Sequence, residues 1–395
     1  MRLAIGPYTT TSAVGIGLAG LRASISNRRS GLRRNDLSNC DLDTWIGRVD
    51  SVESVALPKD LQRLDSRNNR LAWLGLQQDG LIKAIESTVD RTGAERVGVI
   101  IGTSTSSMGS TETAYENLTD DGIMPDGFHV GEIHSLHSPA FFVAEAVGLR
   151  GPAVTISTAC SSSAKVFATA SRWIDNGVID AALIGGVDSL CKSILYGFNS
   201  LELLSTEPCR PCDIRRDGIS IGEACGYALV ARPEILPDSA FHLLGYGESA
   251  DAWHMSHPHP DGKGAELSMR LALKRSGVEA TAVDYINMHG TASQANDRIE
   301  SLALSRNFPG STLASSTKGW TGHSLGAAGI VEAIITLESM RNSLVPGTLN
   351  CEQLDPEFAF TALQENAARS VRFSMSNSFG FGGNNATLLF GHADD

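Results

Sequence analysis

Residues Ala153 to Ile174 read AVTISTACSSSAKVFATASRWI, and this stretch restricts the fold more than any other. A β-like run, Ala153 to Ser157, passes through a turn of small residues straight into a helical pattern. Ala164, Phe167, Ala168, Ser171 and Ile174 fall on one stripe of that helix, which suits burial. A strand feeding a buried helix is the unit of α/β proteins. One thiol, Cys160, stands at the junction.

The rest of the chain alternates in the same way. Leu3 to Ile5 reads as a first strand and Ala13 to Leu21 as a first helix, with Pro7 and the polar run Thr9 to Ser12 between them. RVGVIIGTSTSS (Arg96 to Ser107) is a buried strand entering a polar turn, and RLAWLGLQQDGLIKAIEST (Arg70 to Thr88) has the apolar spacing of a helix. AALIGGVDSL and GYALVARPEIL are strands, and ELSMRLALKRSGV is an amphipathic helix. Two prolines in RPEILPDSA (Arg232 to Ala240) mark a boundary, dividing the chain into halves 1–238 and 239–395. Thr312 to Met340, TLASSTKGWTGHSLGAAGIVEAIITLESM, repeats the order strand, polar turn, small-residue helix. Periodicity alone does not prove a duplication.

At 395 residues the chain exceeds one ordinary core, so two domains or one two-lobed core is expected. A net charge of −12 argues against a general nucleic-acid binder. No apolar run approaches the ~18 residues of a membrane span, and the polar cluster near the N-terminus interrupts any signal-peptide core. Seven cysteines, an odd number in a long chain, point away from a disulfide framework and toward a reducing cytoplasm.

Cys160 by itself reads either as a packed structural thiol, the commoner case, or as a nucleophile whose pKa a helix N-terminus would lower. Partners elsewhere favour the nucleophile. NMHGTASQANDRIE places His289 after a strand, STKGWTGHSLGAAG holds Lys318 and His323, and SNSFGFGGNN forms a glycine-rich turn around Phe381. A cysteine and two histidines, each beside glycine or small residues, make a plausible reaction centre. CRPC (Cys209 to Cys212) lacks a second pair for zinc, HMSHPHP is discounted as a metal site, and no metal or cofactor is expected. GTSTSSMG lacks the Lys-Ser/Thr of a phosphate loop.

Taken together, TACSSSAKVF, HGTASQANDRIE, STKGWTGHSLGAAG and SNSFGFGGNNATL resemble a β-ketoacyl-acyl-carrier-protein synthase, a condensing enzyme of the thiolase-like superfamily. RPCDIRRDGISIGEACGYALV and DAWHMSHPHPDGKGA match further family segments, so the resemblance spans nearly the whole chain. It implies a five-layered α-β-α-β-α thiolase-like fold built from two similar halves. It also implies a decarboxylative Claisen condensation between an acyl group on Cys160 and a malonyl group on an acyl carrier protein. His289 and His323 would stabilise the enolate, and the backbone N–H groups of Cys160 and Phe381 would form an oxyanion hole. Lys318 and Glu300 would pair near His289, Thr291 would support the site, Phe381 would gate the acyl pocket and Met108 would lie near the acyl tunnel. The implied partners are loaded carrier proteins and a second ketosynthase-like chain, giving a homodimer or a heterodimer with a chain-length factor. A non-catalytic chain-length factor is the alternative, and the presence of Cys160 argues against it.

Arg63, Arg67 and Arg70 fall at i, i+4 and i+7, so one helix would align them as a docking face for an acidic carrier, or simply as a solvated face. Departures from the family pattern include Asn384 in the glycine-rich turn, Ile219 where an aromatic is common, Ser293, Asn296 and Trp320. They suggest a specialised branch, similar to ketosynthases of aryl-polyene pigment clusters, with fatty-acid elongation as the other reading.

Overall fold

The computed structural model describes residues 2–394. Its central sheet has ten strands. In the first half these are β1 (Leu3–Ser12), β2 (Val97–Gly102), β3 (Ala153–Ile156), β4 (Ala181–Asp188) and β5 (Ala224–Ala231). The second half supplies β6 (Phe241–Ala250), β7 (Tyr285–Asn287), β8 (Leu313–Ser315), β9 (Phe373–Gly380) and β10 (Asn384–His392).

The spatial order is β8-β7-β9-β10-β6-β1-β5-β4-β2-β3. Counted within each half, the strands run third, second, fourth, fifth, first outward-to-centre on both sides of the β6–β1 seam. The echo in the sequence therefore corresponds to a repeated topology. The halves meet where Leu3 to Ile5 pair antiparallel with Leu243 to Phe241. Every residue of β2, β4 and β5 is buried, which explains why these strands read as continuous apolar or small-residue runs and not as alternating ones.

Helices form the other layers. On one outer face lie α2 (Arg67–Leu76), α3 (Leu81–Thr92) and α4 (Ser138–Ala146), after a first helix α1 (Gly17–Ser26). Between the halves run α5 (Ser162–Asp175) and, later in the chain, α8 (Ala328–Asn342). The opposite outer face carries α6 (Lys263–Ser276) and α7 (Gln294–Asn307). Helix α8 is buried on every side from Ala328 to Met340, as a central layer requires. Among the described residues no helix is long and apolar enough to cross a membrane.

The two central helices approach almost backbone to backbone, and the small residues of the sequence are the cause. A Cβ on Gly329 of α8 would stand 2.4 Å from the Ala164 nitrogen of α5, and one on Gly102 would stand 2.4 Å from the Ser163 nitrogen. Ser163 Oγ also accepts the Ile330 N–H at 2.9 Å, tying α5 to α8. This close crossing brings the turn before α5 next to the turn before α8.

Three local expectations change. The polar run Thr9 to Ser12 does not end β1 but continues it, buried and paired with β5, so the first helix starts at Gly17. The single helix expected over Arg70 to Thr88 is broken by Asp79 and Gly80, whose φ values of 51° and 74° are left-handed. Arg63 lies on a preceding short 3-10 turn, because Ser66 caps α2 by accepting the Asn69 N–H. The three arginines therefore do not share one helix.

Candidate active site

The turn before α5 is held by its own hydroxyls. Ser162 Oγ accepts the Thr158 N–H at 2.9 Å and donates to the Ala159 carbonyl at 2.5 Å, while Ser161 Oγ donates to the Thr158 carbonyl. Ala159 takes φ 52°, a left-handed conformation that a small side chain tolerates better than a branched one. The result lifts Cys160 out of the strand-to-helix path and points its thiol into a cavity of about 310 Å³. His289, His323, Phe198, Ile219, Thr291 and Phe381 also line that cavity.

His323 Nε2 lies 3.0 Å from Cys160 Sγ. Its backbone is fixed at both ends, with N–H donated to Ser220 O and its carbonyl accepting the Gly222 N–H. A ligating or proton-transferring atom from each of Cys160, His289 and His323 falls within 4.8 Å of the others. The two imidazoles meet edge to face, with centroids 5.4 Å apart. Burial, followed by the nearby Lys318 charge, holds both histidines well below the usual imidazole pKa. They are neutral near pH 7, so each keeps one N–H to donate and one lone pair to accept.

Lys318 selects which nitrogen of His289 does which. Its ammonium donates to the His289 carbonyl at 2.5 Å, to Glu332, and toward His289 Nδ1 at 3.4 Å. With Nδ1 accepting, the imidazole proton is assigned to Nε2 by the hydrogen-bond network.

The expected Lys318–Glu300 pair does not form. Glu300 accepts the N–H groups of His289 and Gly290, at 2.9 and 2.8 Å, and the amide of Asn377. Its carboxylate is used up fixing the His289 turn, where Gly290 sits at φ 37°. The buried partner of Lys318 is Glu332 of α8, and burial pushes both carboxyls up to about 7. Glu332 escaped sequence reasoning, although an acid inside the apolar run GAAGIVEAIITL was a signal. Asp188 was missed too: it accepts from Thr103, Ser104, Thr105 and the Gly326 N–H, anchoring the segment after His323.

The thiol behaves differently from expectation. Burial pushes Cys160 up to about 11, against the opposing pull of Lys318 and of the Phe381 and Cys160 N–H groups. Desolvation outweighs the helix N-terminus, so the resting group is a thiol and needs a proton acceptor beside it. The same two N–H groups that face Sγ are those expected of an oxyanion hole.

The remaining expectations sort by position. Thr291 lines the cavity and its hydroxyl shares a hydrogen bond with Ser293 at 3.0 Å. Phe381 stacks on Phe198, centroids 5.6 Å apart, at the cavity wall. Met108 opens the short helix Met108–Glu116 and does not line the cavity. Trp320 is not in the reaction space: its side chain is buried in the central core and its Nε1–H donates to Gly347 O at 2.9 Å. Trp320→Phe is therefore expected to cost about 2–3 kcal/mol of stability, the lost hydrogen bond together with the cavity left beside the smaller ring, while turnover of the folded protein stays unchanged. Chemical denaturation beside an activity assay checks this. Arg67 turns inward to the fully buried Glu223, with Nε 2.9 Å from the carboxylate, while Arg70 pairs with Asp65 and Arg63 with Glu145.

A strand-turn-helix cysteine, two neutral histidines and a lysine thus meet at the centre of a duplicated α/β fold. Comparison with known proteins gives the family. Residues 69–234 match the model of the beta-ketoacyl synthase N-terminal domain, and residues 241–352 match that of the C-terminal domain. The chain is 34% identical to 3-oxoacyl-[acyl-carrier-protein] synthase 2 of Vibrio cholerae, over 78% of this chain and 80% of that protein. It is 40% identical to the mitochondrial 3-oxoacyl-[acyl-carrier-protein] synthase of Arabidopsis thaliana, over 62% of this chain and 57% of the plant protein. Among solved structures, a chain of the complex between a ketosynthase and its chain length factor from Xenorhabdus doucetiae superposes with a TM-score of 0.89. That pair is 35% identical, covering 99% of this chain and 98% of the other. The chain belongs to the β-ketoacyl synthase family, and with it to the ketosynthase class of acyltransferases.

Proposed function

We propose that the chain elongates an acyl group held on Cys160 with a malonyl unit delivered by an acyl carrier protein. The observation that carries this reading is Cys160 Sγ at 3.0 Å from His323 Nε2, with His289 beside both at the cavity floor. In the first half-reaction Sγ attacks the acyl thioester of the carrier. The Sγ proton passes by way of His323 to the departing carrier sulfur, leaving acyl-Cys160 and a free carrier thiol.

In the second half-reaction the malonyl thioester loses carbon dioxide. His289 Nε2–H, fixed by Lys318, donates to the thioester oxygen as it becomes an enolate, and His323 joins it once its single proton sits on Nε2 instead of Nδ1, which no partner holds among the described residues. The enolate carbon attacks the acyl-Cys160 carbonyl, whose oxygen is received by the N–H groups of Cys160 and Phe381. Collapse expels the Cys160 thiolate, which takes up one proton, and the β-ketoacyl group leaves on the carrier. Phe381 gates the cavity, on a turn freed by Gly382 and Gly383 at φ 74° and 73°.

Arg63 and Arg70, paired only with exposed carboxylates that a carrier's acids can replace, serve carrier docking; Arg67 is committed to the buried Glu223. A second ketosynthase-like chain pairs along the edge strand β3, half-buried along its length and bonded on one side to β2. The relative solved with its chain length factor supports a heterodimer; the aryl-polyene reading rests on the sequence departures, and the 3-oxoacyl-[acyl-carrier-protein] synthase relatives keep fatty-acid elongation as its alternative. Incubation with a panel of acyl-carrier thioesters, followed by intact-mass analysis, tests the reading. An adduct on Cys160 with aryl-polyenoyl groups is expected. A saturated-chain adduct alone would move the protein to fatty-acid elongation, and no adduct with any acyl group would overturn the mechanism.

A further inference from the structure

Lys165 is a buried-helix cation that the condensation does not use. It lies in the first turn of α5, and from Ser161 to Ala170 it is the one residue not fully buried. Among the described residues no carboxylate lies within ion-pairing distance of its ammonium; its hydrogen bond goes to Asn384 Oδ1 at 3.2 Å. Burial pulls its pKa down, and the more distant Glu248 carboxylate opposes this only in part.

Its partner points to a role. Asn384 directly follows the turn Phe381–Gly383, and its amide nitrogen lies 3.4 Å from where a Cβ on Gly382 would stand. The other polar ties of this turn run to a different segment: Gly382 N–H donates to Met255 O at 2.7 Å, and Gly383 O accepts the Asp251 N–H at 2.9 Å. Asn385 Nδ2 also donates to Asp251 at 2.9 Å. The Lys165–Asn384 bond instead links the turn to the helix that carries the nucleophile.

We infer that Lys165 is a positioning residue, a latch that holds Asn384 and so keeps the Phe381 turn closed over Cys160. The inference rests on the proposed gating role of Phe381. It gives the unusual Asn384 a purpose, since its side chain reaches Lys165 with an amide oxygen. A hydrogen bond from a charged donor is strong enough to bias a two-state turn about tenfold.

The test uses the full-length protein and the variants Lys165→Met, Asn384→Ala, the double variant and Lys165→Arg. Amide hydrogen exchange over residues 380–385 is expected to speed up about tenfold in each single variant. The double variant should be no faster, because both changes cut the same bond. Lys165→Arg, which keeps a cationic donor, should restore slow exchange. Acylation of Cys160 should proceed at the wild-type rate or faster, while condensation slows about tenfold because Phe381 no longer returns. Unchanged exchange in folded Lys165→Met, or independent additive effects in the double variant, would overturn the latch. Absence of any acyl adduct on the wild-type protein would instead overturn the proposed reaction, and the exchange measurement would still decide the latch.

Discussion

Cys160→Ala is expected to abolish the acyl adduct and to lower condensation by roughly a thousandfold or more, the scale on which covalent catalysis fails without its nucleophile. The protein should stay folded, because Cys160 contributes only a small buried side chain and its turn is held by the hydroxyls of Ser161 and Ser162. The histidines are untouched by the change. Decarboxylation of a malonyl thioester should therefore persist, uncoupled from bond formation, since His289 Nε2–H and His323 still face the place where the enolate forms. Release of labelled carbon dioxide without β-keto product is the measurement. If both half-reactions continued at wild-type rates, the thiol would not be the nucleophile. If both stopped in a folded variant, the histidines would not stabilise the enolate independently.

Glu332→Ala carries the other large effect. Glu332 and Lys318 are both buried, with side chains 3% and 1% exposed, so neither charge has water to replace its partner. Removing the carboxylate strands the ammonium at a cost of about 3–5 kcal/mol. Thermal and denaturant unfolding should show that loss directly. The chemistry should suffer as well, because an unpaired Lys318 no longer holds His289 Nδ1 as an acceptor, and Nε2 loses its fixed proton. The double change Lys318→Met with Glu332→Leu separates the two effects. Replacing both charges by apolar groups should recover much of the stability, while condensation stays low. Recovery of activity along with stability would reduce the pair to a structural element.

Much of this centre was legible in the chain because local chemistry writes itself locally. A thiol between a strand and a small-residue helix, and histidines beside glycine, are features of sequence spacing. The repeated order of strand, polar turn and helix in the sequence corresponds to the matching strand order of the two halves. Less legible were features that depend on competition between neighbours. Thr9 to Ser12 look like a break, but four buried residues paired to β5 satisfy their backbone within the sheet. Arg67 looks like a surface charge three residues from Arg70, yet Glu223, distant in sequence, draws it inward. Trp320 looks like a pocket residue from its place beside Thr321 and His323, yet the turn sends its ring into the core.

By itself the sequence determined the alternating α/β architecture, the candidate nucleophile and the two histidines. Apolar periodicity and turn chemistry act over a few residues, and those residues are all present in one stretch. Only the tertiary structure decided that Lys318 pairs with Glu332 while Glu300 holds the His289 turn. It alone decided that the thiol is pushed up and not down, and that Lys165 ends beside the Phe381 turn. These outcomes depend on burial and on partners brought together by the crossing of α5 and α8, and neither quantity is a property of residues near each other in the chain.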